Sequence, residues 1–242
     1  MRLDNLRGSF FLTPMIFSAA LLVAMISDPA VASEDQNFAF LQAYIDYGQR
    51  IEGSDVLKWD GEGWIGKDAN KLWLKSKGVS AYDGVDEPEV QALYSRYLAD
   101  FWDLQVGVRR DFEPGRRTYG LLGVQGLAPY FIETSLTTFV SEGENFSARA
   151  DVRYDTLFTQ KLIAQLYFTG NAYAQGINES RVGSGLSDID TGLRLRYEIF
   201  REFAPYLDFN FIRLFGKTAD FASDKGWNSS ASAVRVGLRF WF

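Results

Sequence analysis

Two acidic residues, Asp60 and Glu62, stand two positions apart in the segment Trp59-Asp60-Gly61-Glu62-Gly63. In an extended strand, residues i and i+2 point to the same face, so the two carboxylates would be presented together. The neighbouring glycines let a ligand or another backbone approach closely. Carboxylate oxygens are ligands for hard cations, so the pattern indicates a candidate oxygen-ligand metal site. A plain early strand with a tight bend is the alternative, and composition does not choose between them.

A third acid, Glu133, shares a strand face with Ser135 and Thr137. The segment 130–140 contains no basic residue, and the first two acids have none on their own strand after Lys58. Unpaired carboxylates that face a lumen attract cations, and a ring of them favours divalent ions. We therefore group the three acids as the candidate metal site. Lysine or arginine from neighbouring strands would neutralise them instead, and this alternative stays open.

The residue types that are missing limit the chemistry further. The chain has no cysteine and no histidine, and its three methionines are Met1, Met15 and Met25. A Ser-His-Asp hydrolase is therefore impossible, and enzymes that use a histidine base are excluded. A carboxylate-pair enzyme remains formally possible, but we expect no enzymatic activity. The net charge of −6 argues against a nucleic-acid partner.

The N-terminal segment has the three parts of a secretory signal. Two arginines stand in the first seven residues, an apolar run extends from Phe10 to about Ile26, and Ala30-Val31-Ala32 forms a small-x-small cleavage site. We predict a cleaved signal peptide at 1–32 and a single mature domain at 33–242. A retained anchor helix is the alternative, which the shortness of the run and a proline within it disfavour.

The rest of the chain alternates between polar and apolar residues. In the clearest segment, Trp102, Leu104, Val106 and Val108 share one face, and the residues between them are mostly polar or charged. A period of two over this length indicates a β-strand. About twelve strands are predicted, at 39–51, 57–65, 70–77, 89–97, 102–112, 117–126, 130–140, 145–155, 161–172, 187–198, 204–213 and 233–242.

A soluble β-sandwich also alternates, but two features favour a transmembrane barrel. Asp, Glu and Arg recur on the polar faces, and aromatic residues gather near strand ends, as in a charged lumen flanked by interface girdles. Every predicted connection longer than eight residues, including 173–186 and 214–232, is odd-numbered from the N-terminus. This parity is typical of barrels with both chain ends in the periplasm. The predicted fold is an all-β, antiparallel transmembrane β-barrel of the outer membrane.

The predicted lumen charges are mixed in sign. Arg109 lies on a strand with Asp103 and Asp111, and other arginines alternate with acids in the same way. Charges withdrawn from water must pair, and paired charges can simply fill a narrow lumen. Side chains fill barrels of about eight strands and leave a channel at about sixteen, so twelve lies between. Structural ion pairing is therefore the first expectation for each of these charges.

Ten short blocks carry a family resemblance. They are 59–66 (WDGEGWIG), 70–75, 91–96, 102–109 (WDLQVGVR), 123–131, 185–188, 194–198, 202–206, 215–220 and 237–242 (GLRFWF). Through these blocks, in this order, the chain resembles the outer-membrane copper resistance protein B family. Many members carry a Met- and His-rich segment ahead of the barrel, and this sequence resembles a variant without that segment.

The resemblance implies an outer-membrane barrel of copper tolerance that binds copper ions or passes them between periplasm and exterior. It implies outer-membrane lipid, copper ions and periplasmic copper-handling proteins as partners. The residues at 33–242 offer carboxylates, amides, hydroxyls and carbonyls, because thiol, thioether and imidazole are absent there. A general-diffusion or structural barrel without specific metal transport is the alternative function.

Overall fold

The computed structural model describes residues 38–50, 55–81, 88–112, 116–143, 145–177 and 181–242. The predicted signal peptide at 1–32 lies outside these ranges and remains a prediction. In the described part of the chain, no helix is long and apolar enough to cross a membrane.

Twelve antiparallel strands form one closed barrel, in which each strand pairs with its sequence neighbours and the first pairs with the last. This confirms the predicted fold and the strand count. The strands are β1 (Phe38–Arg50), β2 (Asp55–Lys67), β3 (Asn70–Ala81), β4 (Glu89–Ala99), β5 (Trp102–Asp111), β6 (Arg117–Ala128), β7 (Ile132–Ser141), β8 (Phe146–Leu157), β9 (Leu162–Tyr173), β10 (Gly185–Tyr197), β11 (Phe203–Leu214) and β12 (Ser230–Trp241).

The seam between β1 and β12 closes the barrel. Ile45 faces Leu238 and Tyr44 faces Arg239 in the register of the two strands. At the end of the seam, Leu41 and Phe242 exchange backbone hydrogen bonds of 2.9 and 2.8 Å. Closure leaves no sheet edge, so the strands satisfy their backbone polar groups inside the hydrocarbon region.

The two faces of the strands are reversed relative to a soluble protein. On β5, the outward side chains of Val106 and Val108 are 49% and 53% exposed, whereas the inward Gln105 is 2% exposed. Among the described residues, the largest fully buried side chains are polar: Asp46, Ser95, Ser187 and Asp208. An apolar surface around a polar interior is the arrangement of a membrane barrel, and it excludes the soluble sandwich.

The connections follow the predicted parity, although strand boundaries differ from the predicted ones by up to four residues, the largest shift being at the end of β3 (Ala81 instead of 77). Pro129–Phe131 forms a 3-10 turn, so β7 begins at Ile132 rather than at 130. The strand β12 begins three residues before the predicted position. The predicted connection 214–232 contains a helix, α1 (Gly216–Ser223). Tertiary contacts hold this helix, because the buried Thr218 hydroxyl accepts a hydrogen bond from the Gly183 amide at 2.9 Å.

The parity of the connections makes an accessibility prediction. A tag inserted at Asp224, beside α1, should be labelled on intact cells, because this connection is odd-numbered and extracellular. A tag at Asp68, in the tight β2–β3 turn, should be labelled only after the outer membrane is permeabilised. Impermeant antibody labelling with and without permeabilisation measures the difference. Equal labelling of the two sites on intact cells would contradict this orientation.

Candidate functional site in the barrel lumen

The acids Asp60 and Glu62 both lie on the lumen side of β2. Their register partners on β3 are Lys77 and Lys75. The Lys77 ammonium lies 3.6 Å from the Asp60 carboxylate, and the Lys75 ammonium lies 3.8 Å from the Glu62 carboxylate. The adjacent strand β3 therefore supplies one lysine for each acid.

A third base reaches both acids from across the lumen. The Arg153 guanidinium, on β8, lies 3.1 Å from Asp60 Oδ2 and 3.7 Å from Glu62 Oε1. The side chains of these acids and bases are between 11% and 27% exposed. The sequence left open whether these two acids are unpaired or are neutralised by bases from other strands. The structure shows that they are neutralised.

The third candidate acid, Glu133, is placed differently. It is exposed near the periplasmic end of β7, where its register partners are Leu127 on β6 and Arg153 on β8. Its carboxylate forms no ion pair with another residue of the described ranges. Glu133 is thus the most available of the three predicted acids.

A cavity of about 750 Å³ connects Glu62 with Glu133. It reaches the periplasmic turns at Asp68 and Phe101, and we call it the periplasmic vestibule. Its lining is Glu62, Asp68, Lys71, Lys75, Lys77, Tyr97, Phe101, Trp102, Asp103, Gln125, Gly126, Leu127, Glu133, Thr134, Ser135, Asp151 and Arg153. Within the described ranges, no three acids converge as a ready-made metal cage. The lining contains five acids and four bases, so a bound cation would have to displace existing ion pairs.

Ion pairs between non-adjacent strands cross the lumen on the extracellular side of the vestibule. Arg149 on β8 reaches Glu89 on β4 at 2.8 Å, and Lys58 on β2 reaches Asp190 on β10 at 2.9 Å. Glu89 also accepts from Arg109 at 2.9 Å. The first two pairs therefore place charged side chains across the lumen, on the extracellular side of the vestibule.

The wall formed by β10, β11, β12 and β1 is packed with a second cluster that the sequence analysis missed. Arg235 Nη2 donates to Asp208 Oδ2 at 2.5 Å, and its Nε lies 3.3 Å from Asp46 Oδ2. The Tyr206 hydroxyl donates to Asp46 Oδ1 at 2.5 Å. These residues are at most 4% exposed. Their sequence separation hides the cluster, and their inward strand positions are the one signal that pointed to it.

Aromatic rings hold another arginine of this wall, Arg194 on β10. The guanidinium of Arg194 lies 4.4 Å from the Tyr44 ring and 4.5 Å from the Tyr206 ring. Stacking of this kind stabilises a guanidinium that is withdrawn from water. The packed wall therefore has a structural role, whereas the vestibule leaves room for a ligand.

Solved outer-membrane porins share this architecture. The NanC porin superposes with a TM-score of 0.57 at 13% identity, and the match covers 82% of this chain and 98% of the porin. The KdgM porin gives a TM-score of 0.51, also at 13% identity, with the same two coverages. At this identity the similarity shows the fold, and it places the protein among outer-membrane barrels.

Sequence relatives are closer. The family described as copper resistance protein B precursor matches residues 39–242. Copper resistance protein B of Escherichia coli is 40% identical over 195 residues, which are 80% of this chain and 66% of the relative. The copper resistance protein B homolog of Pseudomonas syringae pv. tomato is 38% identical over 207 residues, which are 85% of this chain and 70% of the relative. The chain thus spans about two thirds of the length of these relatives. With the family matched along the whole described barrel, this protein belongs to the copper resistance protein B family and is an outer-membrane β-barrel.

Proposed function

We propose that this barrel serves copper resistance by binding copper ions weakly in the periplasmic vestibule and passing them across the outer membrane. The observation that carries the proposal is the family match over 39–242, which includes every residue that lines the vestibule. Two curated relatives bear the name copper resistance protein B. A vestibule that opens toward the periplasm would receive copper there, as a free ion or from a periplasmic copper-handling protein.

The ligand types favour divalent copper. Soft Cu(I) prefers thiolate and thioether sulfur, whereas Cu(II) also accepts carboxylate oxygen. Cysteine is absent and methionine occurs only at positions up to 25, so the vestibule offers oxygen ligands. We expect weak binding with fast exchange, because conduction needs a site that an ion can leave.

A route for the ion follows from the pairing of the acids. Glu133 is exposed and has no ion pair among the described residues, so it would meet the incoming ion first. Asp60 and Glu62 lie farther in and share Arg153. A divalent ion would compete with this guanidinium for the two carboxylates. Arg153 is therefore the proposed counter-ion: it compensates the charge of the two acids when no metal is bound, and copper displaces it.

Charge removal in the vestibule tests this function. The double change Asp60→Asn with Glu62→Gln, and the single change Glu133→Gln, should each lower copper flux into proteoliposomes several-fold, because they remove cation-attracting charge at constant size. Asp155→Asn is the matched control, since Asp155 pairs with Arg196 and does not line the vestibule. The heat-dependent gel shift of the folded barrel should persist in all variants.

The same experiment addresses the alternative of a general-diffusion or structural barrel. In that case copper and sodium fluxes would change in parallel, or copper flux would equal that of empty vesicles. Unchanged copper flux in a folded Glu133→Gln protein and in the folded double variant would remove these residues from the site. It would leave their ion pairs as purely structural contacts.

A further inference from the structure

Exposed arginines stand at outward positions near both rims of the described barrel. Arg96 is exposed at an outward position near the periplasmic end of β4, and Arg110 and Arg213 are exposed at outward positions near the extracellular ends of β5 and β11. Among the side chains that the structure describes, no acid occupies an outward strand position. This contrasts with the lumen, where acids and bases alternate, and it matches a membrane surface whose headgroups carry phosphate.

The site around Arg110 is the best defined of these positions. Arg110 faces Thr118 in the β5–β6 register, and its guanidinium donates a hydrogen bond to the Thr118 hydroxyl. Arg116 is exposed and stands two residues before Thr118, directly ahead of β6. The Arg110 guanidinium and the Thr118 hydroxyl therefore stand together where the extracellular rim meets the lipid, and the chain brings a second arginine to the start of the same strand.

The outward surface next to these groups is open and apolar. Gly120 follows Thr118 on the outward face of β6, and a Cβ built there would meet no atom within 4 Å. Its register partners are Val108 on β5 and Val140 on β7, which are 53% and 41% exposed. Leu122, the next outward residue on β6, is 54% exposed. The outward face of β6 is therefore uncovered at Gly120 and is flanked by exposed apolar side chains.

We propose that this surface binds a phosphorylated glycolipid of the outer leaflet. Arg110 and Arg116 bind the phosphate, the Thr118 hydroxyl supports the Arg110 guanidinium, and an acyl chain lies over Gly120. Arginine suits this role because its planar donors match phosphate oxygens and form charge-assisted hydrogen bonds. The flanking valine and leucine side chains contact the acyl chain, and the lack of a Cβ at Gly120 leaves room for this acyl chain.

Lipid retention by the folded, full-length barrel tests the proposal. The protein is refolded in neutral detergent, incubated with diphosphorylated lipid A or with dephosphorylated lipid A, and examined by native mass spectrometry. We expect the diphosphorylated lipid to be retained and Arg110→Gln to lower its apparent affinity roughly tenfold, the effect of losing a charge-assisted hydrogen bond. Gly120→Leu, which places a side chain over the uncovered surface and keeps the charge, should lower it several-fold.

Arg96→Gln is the matched control, since it removes an exposed outward arginine at the opposite rim. It should leave retention near the wild-type value, and inorganic phosphate should not displace the lipid. Equal losses in Arg96→Gln and Arg110→Gln would show attraction by charge alone and overturn the assigned site. Equal retention of the dephosphorylated lipid, or displacement by free phosphate at equal concentration, would also overturn it. The gel shift of each variant confirms folding independently of lipid binding.

Discussion

Arg235→Leu should destabilise the barrel by roughly 3–5 kcal/mol, the cost of leaving a buried carboxylate without its base. Asp46 and Asp208 are 1% and 0% exposed, and both lie within ion-pair distance of this one guanidinium. The contacts link β12 to β1 and to β11, so the loss falls on the seam that closes the barrel. Urea unfolding in lipid vesicles, followed by the gel shift, measures the free-energy difference.

Arg239→Leu provides the matched control for this prediction. Arg239 lies on the same strand and the same face, but its nearest acid, Glu198, is 3.7 Å away and a fifth exposed. It also donates to Gln42 at 2.8 Å. Because water can solvate Glu198, we expect a loss of about 1 kcal/mol. Equal losses of unfolding free energy in the two variants would show that burial of the Asp46–Asp208–Arg235 cluster does not determine how much the cluster stabilises the barrel.

Arg153→Gln should have the largest effect on metal binding, and in the opposite direction to the loss of an acid. The change removes the base shared by Asp60 and Glu62 and keeps a polar side chain of moderate size. A divalent ion about 6 Å from the lost positive charge gains about 1.4–2.8 kcal/mol at effective dielectric constants of about 80–40. We therefore expect copper affinity to rise roughly ten- to a hundredfold, together with stronger cation selectivity.

Equilibrium copper binding to the detergent-folded protein and the reversal potential in planar bilayers measure these two quantities. Arg196→Gln is the control, because Arg196 pairs with Asp155 and Glu198 and does not line the vestibule. It should leave copper affinity within about twofold of the wild type. A fall in affinity in Arg153→Gln, or the same change in both variants, would argue against displacement of Arg153 by copper.

The two predictions concern different walls of the lumen: one wall stabilises the barrel, and the other lines the proposed metal site. The wall around Arg235 uses polar residues as a core, because an outward-facing apolar surface leaves the barrel with a polar interior to pack. The vestibule wall uses the same residue types with more exposure and more space. Ion pairs such as Arg149–Glu89 cross the lumen on the extracellular side of the vestibule. Passage of an ion would require these side chains to move.

Much of the architecture is encoded locally. Alternation of polarity set the number of strands and the face of each residue, because successive side chains in a strand point to opposite sides. Connection lengths predict the orientation of the barrel in the membrane, which stays a prediction. The spacing of Asp60 and Glu62 correctly predicted that both lie on one face. The helix α1 was not predicted, because eight residues have little helical stability alone and its position depends on contacts such as Thr218 with Gly183.

The partners of each charge were decided by tertiary structure. Arg153 meets Asp60 across 93 residues of sequence, and Tyr206 meets Asp46 across 160. Closure of the sheet fixes which strands face each other across the lumen. Side-chain length then decides which acids form ion pairs and which, like Glu133, form none with the described residues. No pattern within one strand contains this information, because a strand specifies the direction of a side chain but not what stands opposite it.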